Sequence, residues 1–252
     1  ELCWEAFRRE SAHVDRFIAV SDYYGRRMAA RLELEEGKMS VVYNGIDVAG
    51  FEPAETDPDP PAVGYLSRMC PPKGLHILVE AFLQLKQRGK VPGAVLRIGG
   101  ARTREDENYV AQQQARIDAA GYADDVSWFP NMERAQKAQF LRSLSLLSVP
   151  APYGEAFGLY LLEAMASGVA VVEPDDAGFP EILSRTGGGV LYRGEGPADV
   201  DALSRALEDL LLDGVRRREL GAAGREAVCR DFTARDMARR FSEVLQEVVE
   251  RR

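Results

Sequence analysis

Two glutamates, Glu155 and Glu163, stand eight residues apart in the segment PAPYGEAFGLYLLEAMASG at 150–168. A Pro/Gly loop opens this segment, and a helix is expected from about Phe157 or Gly158, which leaves Glu155 in the loop and Glu163 about a turn and a half inside the helix. A helix start carries unpaired N–H groups and a positive dipole end, so it accepts anions. Gly158 has no Cβ and lets a ligand approach the backbone. A carboxylate repels phosphate but accepts O–H donors. Two acids beside an anion clamp therefore suit the hydroxyls of a ribose and of a hexose at either end of a diphosphate. The spacing alone equally allows an acid that stabilises the helix dipole and a second, exposed glutamate.

A second cluster lies at 62–82, AVGYLSRMCPPKGLHILVEAF. Arg68 ends a strand there, and Lys73 opens a helix after Pro71-Pro72. Arginine grips phosphate oxygens with two parallel hydrogen bonds, and lysine adds a compact charge. Two full charges and the roughly half charge of a helix end balance a diphosphate of about −2 without a metal ion. Without the first cluster, the same two residues read equally as solvated cations near a helix terminus.

The elements that must position these groups alternate. Strands are expected at 16–20, 38–42, 62–67, 94–99, 126–129, 145–149, 169–173 and 189–192. Helices are expected from Ser21 to about Leu34, then near 73–88, 105–120, 134–143, 158–167, 179–184, 198–212, 215–230 and 233–250. Apolar strands separated by helices imply a parallel sheet covered on both faces. The predicted fold class is thus α/β, a Rossmann-like doubly wound sheet whose ligand lies at the C-terminal strand ends. EPAETDPDPP, between Gly50 and Pro61, has linker composition, and residues 1–50 read as the tail of a different unit.

Composition narrows the chemistry. The 252 residues carry 32 Lys plus Arg against 40 Asp plus Glu, a formal charge of −8, which argues against a nucleic-acid partner. Cys3, Cys70 and Cys229 form no CxxC pair, as suits a reducing compartment, and the expected location is cytoplasmic. His13 and His76 are the only histidines and lack the partner spacing of a metal site or a nucleophilic triad, so no metal ligands are predicted. No Walker A loop occurs, and Gly187-Gly188-Gly189 lacks the dinucleotide spacing. Asp57-Pro58-Asp59 has a D-x-D form but sits among prolines and reads as turn chemistry. Arg216-Arg217-Arg218 reads as a solvated helix face. No apolar run approaches a membrane span, and Glu1 to Arg9 lack the apolar core of a signal peptide.

The run EAFGLYLLE, followed by EAMASG and GFPEI and preceded by SRMCPPKG and YNGID with Phe51, closely resembles the C-terminal nucleotide-sugar-binding domain of retaining GT-B glycosyltransferases of family 4. The resemblance runs from about Phe17 to the last helix. It implies one half of a GT-B fold with a remnant of the N-terminal domain: 1–50 as the end of that domain and the connector, 51–232 as the donor-binding domain, and 233–252 as a helix packing toward the N-terminal domain. It implies that Arg68 and Lys73 hold the diphosphate, that Glu163 accepts the ribose hydroxyls, and that Glu155 accepts a hydroxyl of the transferred sugar. Glu155, Arg68 and Lys73 would be the catalytic set. The backbone at Phe157, Gly158 and Leu159 would orient the sugar, that at Tyr160 would reach phosphate, and Gly99 and Met132 would lie near the base. The substrate would be a UDP-, GDP- or ADP-sugar, with no cofactor. The acceptor would be a sugar, a lipid-linked sugar or a small molecule held by the N-terminal domain, with peripheral membrane contact conceivable. Such two-domain enzymes have roughly 350–400 residues, so this chain alone is expected to bind donor and transfer poorly or not at all.

Three departures from the family pattern stand out: Ser67 for a glycine, Pro130-Asn131 for x-Gly, and Val169-Ala170 for x-Pro. The first is expected to shift the backbone slightly, the second to disturb contacts with the base, and the third is structural. Two other functions compete. One is a sugar-nucleotide epimerase on the same architecture, whose acids and bases this half hardly offers. The other is a non-catalytic nucleotide-binding or interaction module.

Overall fold

The computed structural model describes residues 2–250. Its centre is a six-stranded, wholly parallel sheet made of β3 (Ala62–Leu66), β4 (Val95–Gly100), β5 (Val126–Pro130), β6 (Leu146–Leu147), β7 (Ala170–Pro174) and β8 (Gly189–Tyr192). The spatial order is β5-β4-β3-β6-β7-β8, so the chain winds outward from β3, returns beside it as β6, and winds outward the other way. The switch point lies between β3 and β6, and the crevice at their C-terminal ends is where such sheets bind ligand. Every residue of β3 and β7 is buried, as helices on both faces require.

The crossovers are α3 (Leu75–Arg88), α4 (Glu107–Ala119), α5 (Arg134–Arg142), α6 (Leu159–Ala166) and α7 (Phe179–Thr186), followed by α8 (Val200–Leu212) and α9 (Gly214–Asp231). The outer helices are tied by charge. Buried Glu208 of α8 takes Arg88 Nε at 2.9 Å and Lys90 Nζ at 2.8 Å, and buried Ser204 donates to the Ala81 carbonyl at 2.6 Å.

Outside the large sheet, β1 (Phe17–Ala19) and β2 (Met39–Val41) pair in parallel around α2 (Asp22–Leu32). Buried Ser21 caps α2 by accepting from Tyr24 N. The last helix, α10 (Ala234–Glu250), returns to the connector, where Ile46 N donates to Phe232 O and Ala234 N donates to Ile46 O, both at 2.9 Å.

Several expectations are corrected. Leu2–Ser11 forms a helix, α1, where none was expected; it buries no residue, so its sequence carries no core-facing stripe. The strand expected at 145–149 shortens to Leu146–Leu147 because the Val149 N–H leaves the ladder for the Glu173 carboxylate at 3.1 Å. The basic run in α9 is not simply solvated. Arg217 is only 8% exposed, and its guanidinium pairs with Asp57 at 3.1 Å and donates to the carbonyls of Leu210 and Leu211. Asp57, bonded in addition to Arg218 at 2.6 Å, is thus an anchor of the linker.

Candidate functional site: the crevice between β3 and β6

Glycine lets the two loops at the switch point meet. Gly74, between the turn at Pro71–Lys73 and α3, has φ 73°, and any Cβ there would overlap the Pro150 carbonyl. The loop carrying Lys73 therefore rests on the loop carrying Glu155. Lys73 Nζ donates to Glu155 Oε2 at 2.6 Å and to the Tyr153 hydroxyl at 2.7 Å. Burial alone would lower the Lys73 pKa, but the hydrogen bonds to Glu155 and Tyr153 outweigh it and raise the value. Glu155 is 8% exposed and takes a further hydrogen bond from Tyr160 OH at 3.3 Å. Burial first, then the charges of Glu173 and Glu155, push the Tyr160 phenol well up, so it stays a protonated donor.

The helix following this loop begins at Leu159, with Gly158 capping it at φ 82°, a left-handed conformation that favours glycine. Leu159 is exposed at the helix start. The side chain of Phe157, one residue before Gly158, is buried against the rings of Tyr43 and Phe232, with centroids 6.3 and 6.4 Å away, and so braces the connector.

Beside the pair lies a cavity of about 310 Å³ bordered by Arg68, Met132, Lys137, Tyr160 and Glu163. Glu163 is ion-paired to Lys137 of α5. Sequence reasoning missed Lys137, because on the helical pattern of 134–143 it is one polar residue among several. Arg68 is half-exposed at the mouth and leans on the turn before α4, with Nε 3.1 Å from Asp106 and Nη2 3.1 Å from Glu105. The hydrogen bond from Arg68 holds the Asp106 carboxyl below its usual range despite the opposing effect of burial.

Gly99 lies beneath Met132 and Phe140, where a Cβ would stand 2.6 and 3.0 Å from their side chains. The glycine bordering the cavity is its neighbour Gly100, which packs on the Ser67 backbone. Asn131 keeps the left-handed turn that a glycine would supply, with φ 54°, and its amide bridges Arg102 N and O at 3.0 and 3.1 Å.

Of the residues expected at the site, Arg68, Met132, Tyr160 and Glu163 share one cavity, and Lys73 and Glu155 are in direct contact beside it. The fold is the Rossmann-like α/β arrangement of GT-B glycosyltransferases. Sucrose-phosphate synthase from Thermosynechococcus elongatus superposes with a TM-score of 0.82 at 23% identity, covering 98% of this chain and 62% of that one. HepE from Anabaena, solved with UDP and glucose, gives 0.79 at 21% identity, covering 97% and 67%.

The chain belongs to the group 1 glycosyl transferases, whose family pattern matches residues 50–227. A D-inositol 3-phosphate glycosyltransferase from Nocardia farcinica is 29% identical over 232 residues, 86% of this chain and 49% of that protein. The chain thus spans about half the length of this curated relative. Among the described residues no helix is long and apolar enough to cross a membrane.

Proposed function

We propose that this chain is the donor-binding half of a retaining glycosyltransferase of family 4, one that moves a sugar from a UDP-, GDP- or ADP-sugar to an acceptor hydroxyl without a metal ion. On this reading, residues 51–232 bind the donor, while 1–50 and 233–252 face the acceptor side. The observation that carries the proposal is the contact between Lys73 and Glu155 at 2.6 Å, placed at the switch point of the sheet and beside the cavity of Arg68 and Glu163. It puts a cation and a hydroxyl acceptor side by side at the start of α6, where a diphosphate and its sugar need one each.

In the proposed complex, Lys73 turns from Glu155 toward the diphosphate, and Glu155 exchanges that ammonium for a sugar hydroxyl. Arg68 swings from Glu105 onto the same phosphates; its half-exposed side chain leaves it free to do so. Glu163 accepts the ribose hydroxyls, and Lys137 offsets its charge so that the neighbouring phosphates are not repelled. During transfer the bond from the anomeric carbon to the diphosphate breaks, and a bond to the acceptor oxygen forms on the same face. The acceptor's proton passes to the departing phosphate oxygen. The protein's part is electrostatic: cations fixed where negative charge accumulates. This half alone is expected to bind donor and to transfer the sugar poorly or not at all.

Thermal unfolding with UDP-, GDP- and ADP-sugars tests the proposal, since a selective ligand stabilises the fold by mass action. One nucleotide series is expected to raise Tm, and Arg68→Ala is expected to remove the rise. An unchanged rise in the variant overturns the placement of the diphosphate. No rise with any donor overturns the function.

A further inference from the structure

The small unit outside the main sheet touches the loop that carries Glu155. Buried Ser21 caps α2 and also donates its hydroxyl to the Ala156 carbonyl at 2.6 Å, one residue past Glu155. From the other side, Gly178 N donates to the Glu155 carbonyl at 3.0 Å. Gly178 is obligatory there, because a Cβ would stand 2.8 Å from the carbonyl oxygens of both Glu155 and Ala156. Three residues further on, Glu181 closes the clamp: its Oε1 takes Asp22 N at 2.7 Å and its Oε2 takes Tyr23 N at 2.8 Å, so the carboxylate sits on the N-terminus of α2. Tyr43 OH adds a third bond to Glu181 at 2.7 Å. The groups facing Glu181 and Asp22 include Arg185, which lies 3.7 Å from Asp22 and over the Tyr43 ring.

We infer that Ser21 and Glu181 are positioning residues for the donor sugar, a latch through which α2 sets the height of the Glu155 loop. Neither reaches the cavity; both act on Glu155 through the peptide of Ala156 and the start of α7. The backbone of a loop residue moves with its carbonyl, so loss of either bond shifts the Glu155 carboxylate relative to Lys73. The inference rests on the reading of Glu155 as a sugar-hydroxyl acceptor. It goes further in making donor-sugar binding depend on the segment at 17–32, outside the nucleotide domain.

Calorimetric titration of the whole chain with UDP and UDP-glucose, with GDP and GDP-mannose, and with ADP and ADP-glucose separates the two parts of the ligand. In Ser21→Ala and Glu181→Gln the nucleoside diphosphate is expected to bind as in the parent, while its sugar conjugate binds about fivefold more weakly, the effect of roughly one hydrogen bond. Ser21→Thr, which keeps the hydroxyl, is expected to restore the parental value. Combining Ser21→Ala with Glu155→Gln is expected to add little to Glu155→Gln alone, because both act on one contact. Equal binding of the sugar conjugate by parent and both variants overturns the latch while leaving the donor site standing. Equal weakening of nucleotide and conjugate also overturns it. Binding of none of the six probes by the parent overturns the functional reading and the latch with it.

Discussion

The two ends of the central sheet carry the same side-chain types in opposite arrangements. At the C-terminal end, Lys73 pairs with Glu155, and Lys137 with Glu163, beside an open cavity. At the N-terminal end, Arg217 and Arg218 pair with Asp57, and Arg225 pairs with Glu52. There, however, two of the three arginines also bond backbone: Arg217 donates to Leu210 and Leu211, and Arg225 donates to Phe51 and Ala166. An arginine bound to backbone carbonyls as well as to a carboxylate is held in place by the fold, and it fixes the linker at 51–61 against α9. The Lys73 ammonium, by contrast, bonds only side chains, Glu155 and the Tyr153 hydroxyl, and can exchange them for a ligand. A cavity of about 510 Å³ also borders Asp57, Arg217 and Arg225, so on the proposed reading it is the freedom of the cation, rather than charge or open space, that separates a binding end from an anchoring end.

The largest test of this contrast is Lys73→Ala, which is expected to weaken donor binding about 100-fold, as loss of charge-assisted bonds implies, and to lower stability by about 2 kcal/mol, since the buried Glu155 loses its ammonium partner. Calorimetry with the preferred nucleotide sugar measures the first and denaturation the second. The counterpart is Arg217→Ala, expected to lower stability by about 2 kcal/mol, since two carbonyls and a carboxylate lose their partner, with donor affinity unchanged. If affinity fell with stability, the two ends would be coupled and the contrast would break.

A smaller effect sharpens the picture beneath the site. Glu173 of β7 is fully buried, and burial holds its carboxyl well above the usual glutamate range, against the lowering effect of the Val149 N–H bond. The folded chain therefore keeps a proton that the unfolded chain loses above the ordinary glutamate pKa. Stability then falls as pH rises through that window, by at most about 1.4 kcal/mol per pH unit, until the raised pKa is passed. Glu173→Gln keeps an acceptor for Val149 and has no proton to lose. Its advantage in Tm over the parent is expected to widen from pH 5 to pH 8, and a constant difference would mean that Glu173 is ionised in place.

Much of this was legible in the chain itself. The alternation of apolar strands with helices gave the sheet because burial on both faces needs near-continuous apolar runs. The tight loops at Gly74 and Gly158 were marked by glycine, and the acids at 155 and 163 by their spacing around a helix start. Partners were not legible. Lys137 and Asp106 are distant in sequence from Glu163 and Arg68, and nothing in their own neighbourhoods marks them. Asn131 replaces a glycine of the family pattern yet takes up a left-handed backbone there, because asparagine tolerates that region.

The sequence by itself determined which segments become strands and helices, and which residue types stand at the loop ends, since those depend on periodicity and local backbone preference. Only the tertiary structure decided which charges meet: that Lys73 faces Glu155, that Arg217 is buried on the linker, and that Glu181 caps a helix some 160 positions away, between Asp22 and Glu181. Pairing of this kind is set by how helices pack across a sheet whose strand order reverses at β3 and β6, and that geometry is a property of the whole chain rather than of any window within it.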